Sequence, residues 1–90
     1  MSITVRMSDL LRTATKIPGP VAIEARTPSE CLRNLTARFP VLGQWLHDEK
    51  GNLKPQIWLL VNGERVYSDE LEKPLNDGDE LRIIVAVLGG

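Results

Sequence analysis

The segment Glu80-Leu-Arg-Ile-Ile-Val-Ala-Val-Leu88 is the most hydrophobic strand-like stretch of the chain. Alternation along it puts Leu81, Ile83 and Val85 on one face and Arg82, Ile84 and Ala86 on the other. The run Ile57-Trp-Leu-Leu-Val61 behaves the same way, with Ile57, Leu59 and Val61 opposing Trp58 and Leu60. Strands that are apolar on both faces need cover on both faces. The sequence offers one strong helix, which can cover only one. An α+β domain follows, with a sheet of four to five strands, one main helix on one face, and a second face left as a candidate contact surface.

That helix is announced by Thr27-Pro-Ser-Glu30. Thr27 suits the cap, Pro28 the first helical position, and Glu30 the return arm of a capping box. Pro28, Cys31, Leu32, Leu35 and Phe39 form one stripe at helical spacing, and Pro40 ends the helix near Phe39. Ahead of it, Ile3, Val5 and Met7 alternate with Ser2, Thr4 and Arg6 as a first strand. A polar stretch follows and closes at Ile17-Pro-Gly-Pro20. Val21 and Ile23 then make a short edge strand antiparallel to the first, where Pro20 is tolerated. Val41 to His47 reads as a short turn, and Asp48-Glu-Lys-Gly-Asn52 as a surface loop. Asn62-Gly63 is the best short hairpin signal, with Arg65-Val-Tyr67 as the returning arm. Because a hairpin and a crossing helix link strands of one sheet, the sheet should be mixed.

Ninety residues make one domain, 1–90, able to bury roughly 60–65% of its unfolded surface. The net charge is −1 and no block of like charges occurs. With two Trp, one Tyr and one Phe, the chain has neither the basic patch nor the stacking surface of a nucleic-acid binder. No apolar run approaches a membrane span, and no signal segment leads the chain. The single cysteine, Cys31, excludes an internal disulfide and favours a reducing compartment. A cytoplasmic protein, with no membrane or nucleic-acid partner, is the expectation.

Candidate chemical groups are few. Cys31 lies on the apolar helix stripe and is expected to be core, not a reactive thiol. His47 has no second His or Cys at ligand spacing, so no metal site is expected. Asp77-Gly-Asp79 lacks the further oxygen ligands of a calcium loop and reads as a turn. Asn34-Leu-Thr36 matches a glycosylation pattern but sits mid-helix. No catalytic constellation stands out, so an autonomous enzyme is not expected. Gly89-Gly90, directly after the hydrophobic strand, reads differently. Glycines without Cβ atoms form a thin arm, residues 88–90, that can enter a narrow channel and leave the Gly90 carbonyl carbon open to attack.

The capped helix, Val61-Asn-Gly-Glu64, Asn76-Asp-Gly-Asp-Glu80 and the Ala86-Val-Leu-Gly-Gly90 end together resemble the MoaD/ThiS family of ubiquitin-like sulfur carriers over essentially the whole chain. In length and in the insertion after the helix, the chain looks closer to the molybdopterin-type and cysteine-biosynthetic carriers than to the thiamine-type ones. Val85-Ala86 departs from the proline pair of many molybdopterin-type members. The resemblance implies a β-grasp fold with the first and last strands side by side and parallel. It also implies that a ubiquitin-activating-type partner, using ATP and Mg, adenylates Gly90, and that a sulfur donor converts it to a thiocarboxylate. Sulfur then passes to an acceptor synthase. The carrier itself holds no cofactor. Partner docking is expected on Trp58, Leu60, Arg82, Ile84, Ala86 and Leu88, rimmed by Arg6. A ubiquitin-like modifier joined to lysines through Gly90, and a plain interaction module, remain open alternatives.

Overall fold

The structure, a computed structural model, describes residues 1–86. Among them, five strands and three helices follow in the order β1 (Ser2–Met7), α1 (Asp9–Thr15), β2 (Val21–Glu24), α2 (Pro28–Arg38), α3 (Val41–Leu46), β3 (Ile57–Val61), β4 (Glu64–Val66) and β5 (Glu80–Val85). A 3₁₀ turn, Ser68–Glu70, lies between β4 and β5. The strands form one sheet in the order β2-β1-β5-β3-β4. β1 and β5 run parallel at its centre, with Val5 beside Leu81 and Met7 beside Ile83. Both edge pairs are antiparallel, and so are β3 and β5. The mixed sheet, with β1 and β5 paired parallel and β2 at an edge, is the β-grasp arrangement.

One core lies between the sheet and the helices. Ile3, Val5, Ile57, Leu59, Leu81 and Ile83 come from the strands, and Leu11, Cys31, Leu32, Leu35, Leu42 and Leu46 from the helices. The start of α2 is close to the expected cap. Thr27 Oγ1 accepts from the Glu30 backbone N–H at 3.1 Å. The return arm differs: Glu30 Oε1 accepts from the Arg26 N–H at 2.9 Å, one residue before the cap. Pro28, Cys31, Leu32 and Leu35 are buried as the stripe requires, whereas Phe39 has left the helix as its C-cap and packs at the core margin.

Two segments are more regular than the sequence reading held. The polar stretch after β1 is helix α1, and the turn after Pro40 is helix α3. Each is too short to display a stripe. α1 buries a single residue, Leu11, while its neighbour Leu10 is exposed. α3 buries Leu42 and Leu46, one turn apart. Such short helices draw their stability from the sheet they lie on rather than from propensity. The returning hairpin arm begins one residue earlier than expected, at Glu64, and Tyr67 lies beyond it as the cap of the 3₁₀ turn. Asn62 and Gly63 take φ of 50° and 87°, the doubly left-handed pair of a type I′ turn. The last strand, expected to run to Leu88, ends at Val85, with Ala86 following it outside the strand, and the remaining residues 87–90, the expected arm among them, lie outside the described residues.

Candidate functional site

Hydrogen-bond register decides which side chains meet on the face away from the helices. Trp58 on β3 lies opposite Ile84 on β5, and Leu60 opposite Arg82. Arg82 lies beside Arg6 on β1. Trp58 is 36% exposed, and Leu60 and Ile84 are half-buried. Inner-face neighbours in the same strands, Leu59 and Ile83, are 0% exposed. Ala86 continues the outer row, its N–H donating to the Gln56 carbonyl at 2.7 Å. Pro55, Gln56, Trp58 and Ala86 enclose a hollow of about 170 Å³. The structure therefore brings Arg6, Trp58, Leu60, Arg82, Ile84 and Ala86 onto the sheet face opposite the core. Leu88, Gly89 and Gly90 lie outside the described residues.

The sequence reading missed Arg65 and Tyr67. The guanidinium carbon of Arg65 lies 3.8 Å from the centroid of the Trp58 ring and 4.6 Å from that of Tyr67. Cation–π attraction at these distances holds the guanidinium against both rings. A signal for this was present. A two-residue Asn-Gly turn pairs Val61 with Glu64 and hence Leu60 with Arg65, which sends Arg65 to the outer face.

Electrostatics on this face are uneven. Arg6 Nε donates to Glu80 Oε2 at 3.1 Å, and an Arg82 guanidinium nitrogen donates to Glu80 Oε1 at 3.4 Å. One carboxylate thus serves two guanidinium groups. Among the described residues Arg65 forms no ion pair. At the start of β5, Asp79 accepts from the Asn76 N–H at 2.8 Å and from the Asn62 side chain at 2.9 Å. These bonds, the Asn76 one foremost, hold its carboxyl below the usual aspartate range.

The remaining candidates fall into structural roles. Cys31 is fully buried, and desolvation, with the Glu30 charge adding to it, pushes its thiol up to about 12. A thiol so far from ionising is a poor nucleophile. His47 pairs with Leu53 in an isolated antiparallel bridge. In the Asp77-Gly-Asp79 turn, Gly78 takes φ of 85° and its N–H donates to the Ser2 carbonyl, while Asp77 Oδ1 accepts from the Ser2 N–H at 2.7 Å. That turn fastens the start of β5 to the start of β1. Asn34 donates from its amide to the Glu24 carbonyl at 2.8 Å, tying α2 to β2. Among the described residues no cluster of metal-ligating side chains occurs, and no helix is long and apolar enough to cross a membrane.

Residues 11–90 match the ThiS family, a span that runs from α1 through the final glycine pair. The chain belongs to the ThiS family. Solved structures with the same fold cover it almost completely. SAMP1 from Haloferax volcanii superposes with a TM-score of 0.87 at 25% identity, covering 100% of both chains. A chain of the Amycolatopsis orientalis BexX/CysO complex gives 0.81 at 34% identity, covering 98% of this chain and 99% of that one. CysO from Mycobacterium tuberculosis gives 0.79 at 28% identity, covering 94% and 99%. No curated protein matches the chain. This ThiS-family chain is therefore a ubiquitin-like protein of the sulfur-carrier or modifier kind.

Proposed function

We propose that this ThiS-family chain is a sulfur carrier in which the carboxylate of Gly90 is the working group. The observation that carries the reading is the family match extending through Gly89-Gly90. A carboxylate is a poor electrophile until it gains a leaving group. In the proposed sequence a Gly90 oxygen attacks the α-phosphorus of ATP, releasing pyrophosphate and leaving an acyl adenylate. The ATP and its Mg belong to a ubiquitin-activating-type partner. Hydrosulfide released by a sulfur donor then attacks the acyl carbon, the bond to AMP breaks and AMP departs, which leaves a thiocarboxylate for an acceptor synthase in cofactor or cysteine biosynthesis. The carrier supplies no catalytic residue to these steps. It acts as a co-substrate in the cytoplasm, a single domain of residues 1–90 with 88–90 as its arm.

Docking is assigned to the outer sheet face, with Trp58, Leu60, Ile84, Ala86 and Leu88 as apolar contacts and Arg6 and Arg82 at the rim. Support comes from the exposure of Trp58, 36%, on a face that no helix among the described residues covers. The similar Amycolatopsis chain was solved as a BexX/CysO complex, which favours protein partners for this one. The likeness to small archaeal modifier proteins keeps a second reading, attachment to lysines through Gly90. Both readings need the same activated arm.

Deletion of Gly90 is the test. ATP–pyrophosphate exchange with the cognate adenylating enzyme is expected to vanish while the thermal melt is unchanged. Gly90→Ala is expected to slow exchange sharply, because a methyl group beside the carbonyl restricts the backbone and crowds a narrow channel. Exchange at the wild-type rate by a folded, truncated chain would overturn both readings. A thiocarboxylate on protein from its native cell supports the carrier, and Gly90-linked conjugates support the modifier.

A further inference from the structure

The outer face is ordered into two parallel rows that cross the sheet. One row runs Arg6, Arg82, Leu60, Arg65, over β1, β5, β3 and β4 in turn. At about 4.8 Å per strand it spans roughly 14 Å. The row beside it pairs Ile84 with Trp58. A cationic line therefore lies directly against an apolar line, and it is cationic because Glu80 is shared by Arg6 and Arg82. Arg65 has no carboxylate among the described residues and is braced instead by the Trp58 and Tyr67 rings. A guanidinium held by rings rather than by a carboxylate leaves its N–H fork unpaired with any acid, and that fork matches a carboxylate bidentately. Trp, Tyr and Arg are also the residue types that dominate binding energy at interfaces.

We infer that the partner docked on this face is a protein presenting an acidic strip beside an apolar one, with a carboxylate seated on the edge of Arg65. This rests on the carrier reading and names the chemistry of the partner surface. Nucleic acid fits the face less well. A phosphate backbone would use the arginines but leave Trp58 and Ile84 exposed, and the chain as a whole carries a net charge of −1. Lysine in place of Arg65 would keep the charge and lose the planar fork.

Exchange kinetics measured against carrier concentration, with the cognate adenylating enzyme, test the assignment. Arg65→Glu is expected to raise the carrier KM about tenfold or more, with kcat at saturating carrier retained. Arg65→Lys is expected to fall between that variant and the wild type. Added NaCl is expected to raise the wild-type KM and to raise that of the folded Arg65→Glu protein less steeply. Arg65 is exposed, so the fold is expected to survive; if Arg65→Glu fails to fold, Arg65→Lys and the wild-type salt dependence still decide. A wild-type KM in Arg65→Glu, or a wild-type KM indifferent to salt, overturns the inference and leaves the carrier reading standing. So does an unchanged KM together with Arg65-dependent binding of a single-stranded oligonucleotide, which would reassign the row to phosphates. No exchange with the wild-type carrier overturns the carrier reading and this inference with it.

Discussion

Ile83 and Ile84 are the same residue, adjacent on β5, and they have opposite fates. Ile83 is 0% exposed beneath the helices, while Ile84 is half-buried beside Trp58 on the open face. Leu59 and Leu60 repeat the contrast on β3. Hydrophobicity does not separate the two faces. What separates them is where the connecting segments cross. Leu11, Leu32, Leu35, Leu42 and Leu46 all reach the inner side. The inner face has realised its burial energy within the chain. The outer face leaves part of its own unrealised in the free chain, with Trp58 exposed and Leu60 and Ile84 half-buried.

The largest expected effect comes from exchanging one face for the other. Ile83→Ala is expected to cost about 2–5 kcal/mol, read from the denaturant midpoint, because the cavity it leaves cannot collapse freely. Ile84→Ala is expected to cost well under half as much. Ile84→Asp and Trp58→Asp are expected to melt like the wild type yet fail in adenylation, since docking would desolvate a charge that is solvated in the free protein. Unfolding by either Asp variant would mean that the outer face is structural. Retained adenylation would mean that the open face serves another purpose.

A smaller change tests what holds the inner cover in place. Thr27→Ala removes the oxygen that accepts from the Glu30 N–H and is expected to cost about 1 kcal/mol. An unchanged midpoint would show that Pro28 and the Glu30–Arg26 bond suffice to start α2.

The smallest effect concerns the register that keeps Ile83 in and Ile84 out, since a one-residue slip would interchange them. Asp79 and Asn62 clamp the start of β5, with the Glu80 N–H donating to the Asn62 side-chain oxygen at 3.0 Å. The Asp79 carboxyl is held below its ordinary value of 3.8, so its contribution is present above that pH and is lost as pH falls below it toward the folded value. Asp79→Asn is therefore expected to flatten the loss of stability in that acid range slightly, in melts recorded as a function of pH. An identical acid profile would place the register elsewhere, in the Asn62-Gly63 turn or the strand pairing itself.

Legibility followed local physics. The edges of β3, the start of α2 and the Asn62-Gly63 turn could be read because alternation, a cap and a left-handed pair each act within a few residues. Both faces of β3 and β5 could be assigned because strand alternation leaves no choice once one face is core. α1 and α3 could not, because helices of seven and six residues show no stripe and are held by the sheet. The candidate site was legible along each strand but incomplete across them. Trp58, Leu60, Arg82 and Ile84 followed from alternation, whereas Arg65 and Tyr67 follow only when the Asn62-Gly63 turn is also used to pair β4 with β3.

By itself, then, the sequence determined the class of the domain, the residues destined for each sheet face and the two tight turns. These rest on backbone periodicity, on glycine's missing Cβ and on the bonding capacity of single side chains. Tertiary structure alone decided that two short segments, one polar and one largely apolar, become helices, and that Arg6, Arg82 and Arg65 fall into one row with Arg65 braced on two rings. Those outcomes join residues up to 76 positions apart, Arg6 and Arg82. Long-range register is set by the packing of the whole chain, and no window of local sequence contains it.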